Sequence, residues 1–294
     1  MPRVANPLES YMKAEAYGQP NTGKSTFAYS ICNVRPPKSL PNKKKIIVFT
    51  NEVNYSDTLK LFPKKQDMFE IWVHNSLPEF EGDWNTFCED YDMVETKFND
   101  RGQPYINLQQ VREKVHAVIL DEAEMLYREG YIARHAQDLA NKGIDFQPKD
   151  YGVPRSWFTI QINRLAMLPC HFIMCAKVKS EYEAVNYQRK DGTVGSLQFL
   201  KTGEDAYRLP ENILYMPNLS MHLFKHSVPQ MTPGTDGVEA QARDELGKPI
   251  SIDTYWGRAR KQKANREETF QIKNPTVVKA RIELDRIRKT VKIT

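Results

Sequence analysis

Paired cysteines and long apolar runs are what this sequence lacks. Its four cysteines, Cys32, Cys88, Cys170 and Cys175, are scattered without C-x-x-C spacing. That pattern argues against a disulfide scaffold and suits reduced thiols in a cytosol. Apolar runs stay well short of the roughly 20 residues that a membrane span requires. The proline- and charge-containing N-terminus also lacks the apolar core of a signal peptide. A soluble, cytoplasmic protein without a membrane partner is the expectation. No internal repeat is evident, and no arginine cluster of the kind that forms a kinase lid lies beside the motifs below.

What is present is a chain of 294 residues with formal charge +5, long enough for one large α/β domain with extensions or for two small domains. The charge is uneven. Residues 258 to 294 carry twelve Lys or Arg against four acids, so the remainder is slightly acidic. Such a basic tail points to an anionic partner, most often nucleic acid, or to a solvated amphipathic helix, for which 277–291 has the pattern. Tyr255 and Trp256, just before it, suit either base stacking or a packing anchor.

The strongest local signal is Gly18-Gln19-Pro20-Asn21-Thr22-Gly23-Lys24-Ser25, followed by Thr26, which fits G-x-x-x-x-G-K-[ST]. Glycines in that pattern let backbone N–H groups wrap a phosphate at a helix start. The lysine reaches the β- and γ-phosphates, and the Ser25 hydroxyl binds Mg²⁺. Residues 12–17 can form the strand before the loop, and 26–31 the helix after it.

A second β-branched strand over 46–50 delivers Asn51 and Glu52 to its carboxyl end. Glu52 lands beside the nucleotide if that strand neighbours the first. A third strand is expected at 69–73, a helix at 84–96, and a hairpin at 97–106. His116-Ala117-Val118-Ile119-Leu120-Asp121-Glu122 reads as a buried strand ending in two acids. Asp121 is the candidate for holding Mg²⁺ through water, and Glu122 either activates the attacking water or merely starts the next helix.

Helices follow at 123–141, ending at Gly143, and from Pro154 to Leu168. The strand 171–176 then leads into Lys177 and Lys179, which share a face if the strand continues. They are candidates for reading a γ-phosphate in their own or a neighbouring subunit, or a surface pair balanced by Glu181 and Glu183. Cys170, His171 and Cys175 divide between two strand faces, which favours packing over a metal site. Further expectations are an Asp-Gly hairpin at 187–195, strands at 213–216 and 219–224, and a mobile loop from 230 to 248.

In order and content, residues 17–26, 49–52, 118–122 and 157–182 resemble the RecA-type P-loop ATPases of phages and other viruses. The likeness is close to the phage AAA-type nucleotide-binding domain and its single-strand-annealing recombinase relatives, and it covers roughly 11 to 224. It implies an α/β fold with a mostly parallel sheet sandwiched by helices, and Mg²⁺ and ATP as ligands. It also implies a homo-oligomeric ring or filament, and action on DNA, in the host cytoplasm if the chain is viral.

The implied organisation is an arm (1–10), an ATPase core (11–228), a linker (229–257) and a basic tail (258–294). Such cores serve recombination, remodelling, translocation and genome packaging alike. A nucleotide-binding assembly protein and a small-molecule kinase are the other classes that share the loop. The Asp121-Glu122 pair is more like AAA proteins and packaging motors than RecA, which leaves Glu122 and Glu52 as competing catalytic carboxylates. The tail matches no family pattern.

Overall fold

The computed structural model describes residues 11–35, 45–93, 97–98, 104–185, 198–207, 219–233, 239–243, 248–260 and 270–291. The chain runs through β1 (Lys13–Gly18), α1 (Lys24–Tyr29), β2 (Lys45–Thr50), α2 (Tyr55–Leu59), β3 (Phe69–Val73) and α3 (Leu77–Asp90). A two-stranded hairpin of β4 (Lys97–Phe98) and β5 (Pro104–Tyr105) precedes α4 (Gln109–Lys114) and β6 (Val115–Leu120). Next come α5 (Ala123–Met125), a π-helical segment Leu126–Ile132, α6 (Ala133–Ala140) and α7 (Gly152–Met167). The second half holds β7 (His171–Val185), β8 (Gln198–Tyr207), β9 (Leu219–Pro229), β10 (Met231–Pro233), β11 (Glu239–Gln241), β12 (Ser251–Arg260), β13 (Phe270–Lys273) and α8 (Val277–Val291).

The main sheet has the order β13-β12-β9-β1-β7-β6-β2-β3, parallel from β9 to β3, with β12 and β13 added antiparallel. Strand alternation sorts the apolar side chains into two cores. Ile47, Phe49, Val118, Leu120, Phe172 and Met174 meet α3, α7 and the π segment on one face. Ile46, Val48, Ala117, Ile119, Ile173 and Cys175 meet α1 and α8 on the other. Phe49 alone makes ring contacts with Trp72, Phe80, Trp84 and Phe87. Burial of each such side chain stabilises the fold by roughly 1.5–3 kcal/mol.

Both helix-bearing faces are therefore covered, and the fold is α/β with a mostly parallel, mixed sheet. Several expectations shift. Helix α3 begins seven residues before the expected Trp84, because Ser76 caps it by accepting from Glu79 N–H at 3.4 Å, with Pro78 in the first turn. The helix after the glycine-containing loop 18–25 is short, since the chain tightens into a 3-10 turn over Ser30–Asn33. The loop expected over 230–248 contains the β10–β11 pair.

The linker and tail expected from 229 onward are structured wherever they are described. β12 runs along β9 from Ser251 to Arg260, and α8 packs on the second core through Val277, Ala280 and Leu284. Val277 N–H donates to Ser30 Oγ at 2.8 Å, tying α8 to the turn that follows α1. The arm 1–10, the turn at 187–195 and the strand at 213–216 lie outside the described residues, although β7 and β8 pair on either side of that turn.

Candidate active site

The phosphate-loop pattern leaves the carboxyl end of β1 and turns into α1. Its two glycines have separate reasons to lack a side chain. A Cβ on Gly18 would sit 2.1 Å from Leu223 O, so only glycine lets β1 run this close to β9. Gly23 has φ 86°, a left-handed conformation that L side chains rarely adopt, and Asn21 joins it at φ 61°. Gln19, Pro20 and Asn21 are exposed at the tip, and Ser25 and Thr26 are half-buried. Thr22 Oγ1 and Lys24 Nζ both donate to Gln19 O, at 2.8 and 2.9 Å, so the lysine folds back onto its own loop.

Asp121 arrives from β6, which is separated from β1 by β7. It is fully buried, and its Oδ1 accepts from Glu122 N–H at 3.2 Å, while its Oδ2 has no hydrogen-bond partner. Burial pushes its pKa up; the neighbouring Ser25 hydroxyl and Cys175 thiol oppose that push. Cys175 Sγ in turn donates to Lys24 O at 3.7 Å. Cys175 of β7 thus stitches the loop strand to the acid strand.

Glu122 follows in a left-handed conformation, φ 58°, costing a non-glycine residue on the order of 1 kcal/mol. It stands at the N-cap of α5 without a side-chain capping bond. Its carboxylate instead forms an ion pair with Lys177, which also lies 3.8 Å from the buried Glu124. Burial works against the Lys177 ammonium, yet Glu122, then Glu124 and Glu52, outweigh it and raise the lysine's pKa.

Glu52 belongs to this cluster although the condition for its expected position is not met. β2 is separated from β1 by β7 and β6. The chain brings it in differently: β2 pairs directly with β6, so Glu52 emerges beside Asp121 and Glu122. Burial, then those two charges and a hydrogen bond with Glu122, push its pKa up to about 7.

Of the expected site residues, Gly18 to Thr26, Asp121, Glu122, Glu52 and Lys177 converge on one edge of the sheet. Lys179 continues β7, paired with Ala206, and its side chain lies outside the described residues. Glu124 was missed, since a helix-start acid carries no signal of its own, and Cys175 was expected only as packing. Cys170 and Cys175 occupy opposite cores, and His171 Nδ1 accepts from Met12 N–H at 3.0 Å, so this trio is packing.

Ser25 and the unpartnered Asp121 oxygen fit a Mg²⁺ ion. That cation takes one or two protein oxygens and fills the rest of its shell from phosphate and water. Accordingly, no group of three or more His, Cys, Asp or Glu among the described residues could hold a metal without such help. An apolar cleft of about 1090 Å³ opens at the opposite, amino edge of the sheet, between α3, α4 and α7, and shares no residue with the acidic cluster.

Compared with protein-family models and with curated proteins, the chain matches none. Among the described residues no helix is long and apolar enough to cross a membrane.

Proposed function

We propose that this chain is a Mg²⁺-dependent ATPase with a RecA-like P-loop core that acts on DNA. The observation that carries the reading is the convergence of Lys24, Ser25 and the unpartnered Asp121 oxygen with a second acid and a lysine at one sheet edge. Ser25 and Asp121 would hold Mg²⁺, which would supply Lewis-acid neutralisation of phosphate charge. The loop's backbone N–H groups cradle the phosphates. Lys24 exchanges Gln19 O for phosphate oxygens, a stronger, charge-assisted partner.

Glu122 is the base that takes a proton from the attacking water, its carboxylate engaged with Lys177 rather than capping α5. Lys177, bound to Glu122 of the same chain, sits where it can exchange that carboxylate for the γ-phosphate, which supports a role in its own subunit. Glu52 is the second candidate: it comes from β2, with two strands between it and the loop strand, and reaches this edge beside Asp121 and Glu122. The DNA partner is supported by the basic surplus after residue 258, part of which lies on the exposed side of α8 as Lys279 and Arg286.

ATP turnover measured with and without single- and double-stranded DNA tests this reading. Stimulation by DNA is expected of a motor or recombinase. Turnover indifferent to DNA would favour a nucleotide-stabilised assembly protein, and turnover only with a small acceptor would favour a kinase.

A further inference from the structure

The position of Tyr255 carries a further inference. This residue is 232 positions from Gly23 in sequence, yet a Cβ built on Gly23 would lie 3.8 Å from Tyr255 Cδ1, so the ring borders the phosphate loop. β12 brings it there. Gly257 and Ala259 of that strand are buried on the face covered by α1 and α8, and Tyr255, two residues before Gly257, shares that face. Asn274 N–H donates to Tyr255 O at 2.8 Å, which fixes the strand at this point.

Tyr255 is 37% exposed, an unusual state for a tyrosine whose role is to anchor a strand. Its polar neighbours are already engaged with one another. Lys225, the cross-strand partner of Tyr255, is ion-paired to Asp253 at 2.9 Å, and Ser227 Oγ donates to Asp253 at 2.7 Å. What faces solvent beside the loop is therefore an aromatic surface next to a neutralised pair. Trp256, by contrast, points to the other face of the sheet.

Resting on the proposed nucleotide site, we propose that Tyr255 is the platform on which the base of the bound nucleoside triphosphate stacks. The phosphates lie in the loop on one side of Gly23, and the open ring lies on the α1 face beside it. An aromatic face accepts any base, so the platform gives affinity for the base with little discrimination among bases.

The test compares ATP with inorganic tripolyphosphate, which fills the loop but has no base, in binding titrations of wild type, Tyr255→Ala and Tyr255→Phe. Stacking of the usual strength predicts that Tyr255→Ala weakens ATP roughly tenfold or more, leaves tripolyphosphate unchanged, and that Tyr255→Phe restores ATP affinity. Equal weakening of both ligands, or no weakening of ATP, overturns the platform while the phosphate site stands. Loss of single-stranded oligonucleotide binding with ATP affinity intact also overturns it, because the ring then serves nucleic acid. If wild type binds neither ATP nor tripolyphosphate, the proposed function fails and the platform with it.

Discussion

Lys177, within the strand that separates the glycine-rich-loop strand from the acid strand, forms an ion pair with Glu122 of its own chain. The pair couples the candidate base to a lysine of the neighbouring strand at this edge. Replacing Lys177 by alanine leaves Glu122 and Glu124 without that counter-charge, and turnover is expected to fall by about tenfold or more. Because the contact is within one chain, mixing Lys177→Ala with Lys24→Ala protein should restore no activity at any ratio. Recovery in the mixture would instead show the lysine acting on a neighbour's nucleotide.

The two acids are separable by substitution. Glu122→Gln should cut turnover by about 10²-fold or more while ATP stays bound, and Glu52→Gln should cost less. Single-turnover hydrolysis and nucleotide retention on both variants check this. The reverse order would assign the base to Glu52.

Glu52 also predicts a pH dependence of stability. Its folded pKa of about 7 exceeds the ordinary glutamate value of 4.5. The fold therefore favours the protonated form, and this contribution is complete below about 4.5 and lost as pH rises through about 7. Glu52→Gln removes the dependence. Its Tm should match wild type near pH 4 and exceed it by a few degrees at pH 8. A gap that is larger in acid than at pH 8 would contradict the assignment.

Much of this was legible in local sequence. The pattern Gly18 to Ser25, the β-branched runs and the Asp121-Glu122 ending each declare themselves within a few residues, and β3 falls where expected at Phe69–Val73. What was not legible depends on partners far along the chain. Strand order decides that Glu52 meets Asp121 through β6 rather than through β1, and no local pattern encodes strand order. The basic surplus after 258 resembles a solvated tail because α8 shows its charges to solvent, whereas Val277, Ala280 and Leu284 seat it on the second core, beside the turn after α1. Tyr255 had no signal linking it to Gly23.

That seating changes what removal of the C-terminal region should do. A deletion from Arg258 would strip part of β12 from β9 and uncover a core face, so it is expected to destabilise the whole protein and not merely weaken DNA binding. The milder Leu284→Ala change, at a side chain 6% exposed, should cost about 2–4 kcal/mol. Chemical denaturation measures it. A change below about 0.5 kcal/mol, as at ordinary surface positions, would show that α8 is not seated on the core.

The most direct measurement of the central claim is Mg²⁺-dependent release of phosphate from ATP by wild type and by Lys24→Ala, with the fold of each checked by its unfolding transition. The account predicts turnover by wild type that requires Mg²⁺, and its loss in a variant that remains folded, because the Lys24 ammonium donates to the carbonyl of Gln19 within its own loop. Equal turnover by the two proteins, or no ATP binding by wild type, would contradict it.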